Sequence, residues 1–259
     1  MAESTAAPAT IAVLRPLSVE RVCYLVAAVL FASGLFHLAV FAVAGGPWDG
    51  PVSWRKPATF GLSFGLTLAA ITWLVALLPL AERTCRVLLL TFAADSCIEV
   101  AGITLQAWRK VPSHVDMQGS FNTVVSMCLA AGGAVLLIVL GRMAVAAFRG
   151  DSSQAPSMRL ALRAGFATLI VGLLSGAAMI ARGVALVKTG HQLEAYHAVG
   201  FLKSVHFVSL HGVIVLPAVA WLTAWVSWPE PRRTRAVAVA AGCYAAAILG
   251  TLILSLATM

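Results

Sequence analysis

The residues of this chain best suited to chemistry lie inside apolar stretches. Asp95, Glu99 and Gln106 follow an i, i+4, i+11 pattern that Arg109 continues. At helical spacing this sets two carboxyl groups, a carboxamide and a guanidinium on one face. His37 lies within ASGLFHLAV, and His206 and His211 within SVHFVSLHG. Neutral imidazoles with a carboxylate from Asp95 or Glu99 make the donor set of a zinc or iron centre that leaves one position open for water. Two imidazoles alone are the axial pair of a haem b, whose propionates would be matched by Arg182, Lys203 and Arg109. Without a metal, Asp95 or Glu99, kept protonated by burial, is a general acid. The expected site therefore has Asp95, Glu99, Gln106 and Arg109 in catalytic roles, Arg182 and Lys203 toward a cofactor, and His37, His206 and His211 as metal ligands. His206 and His211, five residues apart, are offset by about 140° around a regular helix. Pro217 downstream is positioned to change that offset.

The elements that must position these groups follow from composition. Of 259 residues, 60% are hydrophobic and only 11% charged. A soluble domain carries about 25% charged residues, so most helical surface here faces something other than water. Seven apolar runs are long enough to cross a bilayer: 22–44, 57–80, 86–108, 120–147, 160–187, 204–228 and 236–257. Backbone groups in lipid must be satisfied within their own segment, which makes these runs helices. The expected fold is all-α, a polytopic membrane protein with seven transmembrane helices over 21–259, preceded by a flexible Ala/Ser/Thr/Pro-rich tail over 1–20. Cys23, Cys85, Cys97, Cys128 and Cys243 are scattered without metal-type spacing and read as buried thiols.

The net charge of +8 belongs to the ends of these runs and reflects membrane orientation rather than nucleic-acid binding. The 18 Lys and Arg divide eleven to seven in favour of the side bearing the N-terminus. This places the N-terminus in the cytoplasm and the C-terminus outside the cell membrane. The connections rich in Trp, His and carboxylates, including WDGPVSWRK, QAWRKVPSHVD and TGHQLEAYHAVGFLK, then fall on the outer side, and a site opening there is expected. Counting from helix ends puts His37, Glu99 and His211 roughly 12–15 Å below the outer boundary, close enough in depth to share a cavity. An internal echo links Ser33-Gly34 with Ser175-Gly176, and Lys56, Phe60, Gly65 and Trp73 with Lys203, Phe207, Gly212 and Trp221. It describes a parallel 3+1+3 duplication joined by the fourth helix.

Three segments, WRKPATFGLSFG, EVAGITLQAWRKVPSHVD and SVHFVSLHGVIVLP, resemble a family of uncharacterised bacterial seven-helix membrane proteins. That resemblance implies the fold and no activity. Ser33-x3-His37, Asp95 and the paired His of a late helix are also distantly similar to seven-helix zinc amidohydrolases related to alkaline ceramidases. Here the paired His are separated by four residues where that pattern has three, and the first motif falls one helix early.

Three function classes follow. The first is metal- or haem-dependent chemistry on a lipophilic substrate entering from the bilayer. The second is a metal-free enzyme using Asp95 or Glu99 on a lipid or terpenoid, with Trp54, Trp108 and Trp221 shielding cationic intermediates; no DDxxD motif accompanies it. The third is a small-molecule carrier or receptor, for which the 3+1+3 arrangement is apt. The last helix has no Lys for retinal and no ionisable residue between Arg235 and Met259. Its expected role is packing.

Overall fold

The computed structural model describes residues 18–149 and 153–257, so most of the expected tail lies outside the described residues. The helices are α1 (Ser18–Ala44), α2 (Arg55–Val75), α3 (Glu82–Trp108), α4 (Ser120–Arg149), α5 (Pro156–Lys188), α6 (Gln192–Ala198), α7 (Lys203–Ala224) and α8 (Glu230–Ala257). All except α6 are long and apolar enough to cross a membrane. The chain is an all-α, multi-pass integral membrane protein. The side carrying the α1–α2, α3–α4 and α5–α7 connections, away from the start of α1, is termed the distal face.

Helix ends depart from the apolar runs for local reasons. α3 and α8 begin several residues early because charged residues form their first turns. Glu82 and Glu230 favour the helix N-terminus, and Arg86 donates to Glu82 across one turn at 3.0 Å. α5 starts on Pro156, whose missing N–H costs nothing there. α2 stops at Val75. The Leu77 and Leu78 amides turn back to the Leu74 and Val75 carbonyls at 2.9 and 3.1 Å, and Pro79 disfavours helix in the residue before it. α6, absent from the seven-run expectation, folds within the α5–α7 connection. At 33 residues, α5 is about 50 Å long. It exceeds the roughly 30 Å hydrocarbon core and therefore tilts or projects beyond it.

Two helix pairs pack backbone to backbone. A Cβ on Gly61 of α2 would lie 2.6 Å from the Gly34 nitrogen of α1, and one on Gly65 would lie 2.7 Å from the Ala27 carbonyl oxygen. This is the small-residue packing that brings membrane helices together when no water drives them. α5 and α7 repeat it, with Gly172 against Leu210 and Gly212 against Thr168. α1, α2 and α3 touch one another pairwise, as do α5, α7 and α8, while α4 bridges α3 and α5. Among the described residues, the two triads meet directly chiefly through a thin α2–α7 contact. The contacts thus follow the 3+1+3 arrangement.

Apolar and polar interiors are segregated along the bundle axis. Leu68, Ile71, Leu74, Leu89, Phe92, Met143 and Phe166, each at most 2% exposed, fill the half away from the distal face. Most buried polar side chains lie in the middle or distal half, among them His37, Ser53, Asp95, Glu99, Gln106, Ser113 and Asp116. The outward surface is dense in exposed Leu, Val, Ile, Phe and Trp, as lipid contact requires.

Candidate functional site

At mid-helix, α3 buries Asp95 and Glu99 against α4. The position a Cβ would take on Gly132 of α4 lies 2.5 Å from Glu99 Oε1 and 2.9 Å from Asp95 Oδ1. Both carboxyl groups therefore close around one point, and in this arrangement they occupy the space a side chain at 132 would take. Asp95 Oδ2 is buried with no hydrogen-bond partner. Among the described residues, no Lys or Arg forms an ion pair with either acid. A carboxyl pair at membrane depth without a cation is costly, and such costs are characteristic of sites that bind or move ions.

Above this pair the stripe continues toward the distal face. Gln106, fully buried, donates Nε2 to Asn122 Oδ1 at 3.3 Å, and its own Oε1 accepts from Arg109. Arg109 also donates to Asn122 Oδ1 at 2.7 Å. Asn122 Nδ2 donates to Asp116 Oδ2 at 3.0 Å, and Tyr196 Oη of α6 donates to Asp116 Oδ1 at 3.1 Å. Burial, together with the charge of Asp116 and its hydrogen bond, pushes the Tyr196 phenol up to about 12. Ser126 of α4 donates to the Asp116 carbonyl at 2.9 Å, and Gln192 of α6 to the Val115 carbonyl at 2.7 Å. Val115 is held at φ 55°, a left-handed conformation that strains a β-branched residue. The α3–α4 loop is thus fastened to α3, α4 and α6 at once.

All four stripe residues face α4: Asp95 and Glu99 through Gly132, Gln106 and Arg109 through Asn122. Sequence reasoning missed Asp116, Asn122, Tyr196 and Gln192. Asp116 and Asn122 lie close to the stripe in sequence and were legible as polar, but their joining to α6 spans 80 residues in the Asp116–Tyr196 bond. Nothing local signals that.

The three histidines are not brought together. The His37 ring uses both nitrogens: Nδ1 meets the Ser33 carbonyl at 2.7 Å, and Nε2 accepts from Trp108 Nε1 at 3.2 Å. With Nδ1–H donating and Nε2 accepting, no lone pair is left for a metal. Trp54 stacks beside it at 6.2 Å. This places His37 at the distal ends of α2 and α3, while Glu99 lies nine residues earlier on α3, roughly 13 Å along the axis. The expected common depth of these two does not hold. His206 donates Nδ1 to the Gly172 carbonyl of α5 at 2.7 Å, where Gly176 makes room for its ring. His211 turns to its own helix, Nδ1 meeting the Phe207 carbonyl at 2.6 Å beside an exposed Phe207 ring. Among the described residues, no three His, Cys, Asp or Glu side chains form a group able to hold a metal ion. Of the expected cationic rim, Arg182 lies over the Phe201 ring at 4.8 Å, and Lys203 pairs with Asp49 at 3.2 Å. Arg55 shares Asp49 at 3.5 Å.

Helical bundle and site together define a multi-pass membrane protein with a buried carboxyl pair beneath a polar cap. No protein family, curated protein or solved structure matches the chain, so neither sequence resemblance gains a family from comparison.

Proposed function

We propose that this protein is a proton-coupled carrier of a small solute, with Asp95 and Glu99 as the proton-binding element. The observation supporting this is the carboxyl pair itself, closed on Gly132, with one oxygen unpartnered and no cation in contact. A proton is the counter-charge that fits where no side chain supplies one. The pair lies on α3, at its contact with the bridging α4, so movement between the two triads acts directly on it. On the distal face three contacts link the connecting loops to α6 and α7: Asp49–Lys203, Asp116–Tyr196 and Val115–Gln192. Such contacts would suit the closed side of an alternating-access protein.

The metal or haem reading needs ligands gathered around one atom, which His37, His206 and His211 are not. The general-acid reading needs a lipid to part α3 from α4.

The test is reconstitution into liposomes loaded with a pH-sensitive dye, challenged with panels of sugars, amino acids, amines and carboxylates. A solute that drives proton movement in the wild type, with coupling lost in Glu99→Gln and reduced in Asp95→Asn, supports the reading. Solute movement indifferent to a proton gradient and to both substitutions defeats it.

A further inference from the structure

A second cluster of polar groups lies apart from the carboxyl pair, at the distal end of α2. Ser53 is 6% exposed, yet its hydroxyl has no hydrogen-bond partner. One turn on, half-buried Lys56 carries an ammonium that, among the described residues, has neither an ion pair nor a side-chain hydrogen bond. Its neighbour Arg55 is already engaged, by Asp49 and by the Trp48 carbonyl at 3.1 Å. Ser53, Lys56 and Ser113 line one narrow seam between α2, α3 and the α3–α4 loop, walled by Ile103 and Ala107. Ser113 is 2% exposed and meets His114 Nδ1 at 2.9 Å. Burial pushes the His114 imidazole down to about 3, and the Lys56 charge acts in the same direction. His114 therefore stays neutral near pH 7, and the positive charge at the seam is that of Lys56.

A buried hydroxyl without an acceptor and an unpaired ammonium lack the same thing, a negatively charged acceptor. We infer that Ser53, Lys56 and Ser113 form a seat for one oxyanion, a phosphate or carboxylate group, at the distal membrane boundary. The seam has no room for even a water, so the oxyanion meets the Lys56 ammonium at its mouth and reaches the Ser53 hydroxyl only as the seam parts, while the apolar walls suit an attached hydrocarbon. The seat is independent of the carrier reading, because it involves neither Asp95 nor Glu99.

The experiment follows thermal unfolding of the full chain with two probes. One is inorganic phosphate titrated in detergent at constant ionic strength; the other is phosphatidylcholine bilayers with and without phosphatidylglycerol. A saturable rise in Tm with phosphate assigns a free oxyanion, and a rise only with phosphatidylglycerol assigns a lipid headgroup. In either case Lys56→Met is expected to weaken the apparent affinity roughly 10–100-fold, the worth of one charged hydrogen bond. Ser53→Ala weakens it less, and Lys110→Met, an exposed lysine outside the seam, leaves it unchanged. Should Lys56→Met fail to fold, acylation of wild-type lysines read by mass spectrometry gives the same answer. The effective probe protects Lys56 and not Lys110. No stabilisation by either probe, an undiminished response in Lys56→Met, or equal acylation of Lys56 with and without the probe overturns the proposal.

Discussion

Glu99 Oε1 lies 2.5 Å from where a Cβ on Gly132 would stand. Carboxyl and glycine therefore occupy one shared volume across the α3–α4 contact. Gly132→Ala displaces the carboxyl ends of Glu99 and Asp95, which can swing aside while α4 stays in place. The expected cost is ~1 kcal/mol, the low end of the range for overpacked interiors, because flexible side-chain ends give way. A lower Tm in Gly132→Ala, recovered in part by pairing it with Glu99→Ala, verifies the contact. Gly133, with open space at its Cβ, is the control.

The polar cap gives a second expectation. Tyr196→Phe removes the hydroxyl bonded to Asp116 and should lower stability by ~1–2 kcal/mol. Lys203→Gln breaks an ion pair whose partners are 60% and 68% exposed, and should change stability by less than about 1 kcal/mol. Thermal unfolding of both variants in one detergent decides between them. Equal losses would mean the Asp116–Tyr196 bond does not fasten α6.

Acid should act through His114. Its imidazole is pushed from 6.5 down to about 3 by burial. Between those values the unfolded chain binds a proton that the folded chain refuses, so stability falls as pH drops through that window. Above about 6.5 the group contributes no slope. His114→Gln is expected to flatten the acid side of a Tm-versus-pH curve, measured in one buffer series against the wild type.

The histidines should behave as separate hydrogen-bonding groups. His37, His206 and His211 serve Ser33 and Trp108, Gly172, and Phe207 respectively. Stability losses in His37→Ala and His206→Ala should add within about 0.5 kcal/mol in the double variant, since their helices do not pack together. Ligands of one ion would be strongly non-additive. Double-variant unfolding, with metal content of the wild type as a companion measurement, distinguishes the two.

Orientation is expected from the eleven-to-seven distribution of Lys and Arg. In a cysteine-free background, a single cysteine at Ser153 should react from the cytoplasmic side and one at His191 from the opposite side. Labelling of both from one side overturns the seven-span topology.

The sequence made the frame legible because lipid imposes strong rules. Long apolar runs must be helices, and charged turns must lie between them, so seven spans and most of their ends could be read directly. The Asp95–Glu99–Gln106–Arg109 face was legible because helical spacing is local and lipid cannot accept it. The histidine cluster was not. Depth counted from the helix ends treated α1 as flush with its neighbours, whereas α1 continues past the His37–Trp108 contact to Ala44. Ring direction depends on which carbonyl each Nδ1 reaches, and linear spacing does not contain that. Gly132 was invisible as a site residue because its contribution is the absence of a side chain.

The unequal seams between helices have a mechanical consequence. α1 with α2, and α5 with α7, touch through their backbones, whereas among the described residues the two triads meet directly chiefly along a slight α2–α7 contact. Stiffness is therefore concentrated within each triad and compliance between them. α4, which touches α3 on one side and α5 on the other, works as a lever arm with Gly132 near its middle. If the two tripods shift against each other, as the carrier reading requires, α4 is the element through which the shift would reach the two acids, and a cross-link fixing α2 to α7 should then hold the carboxyl pair still without touching it.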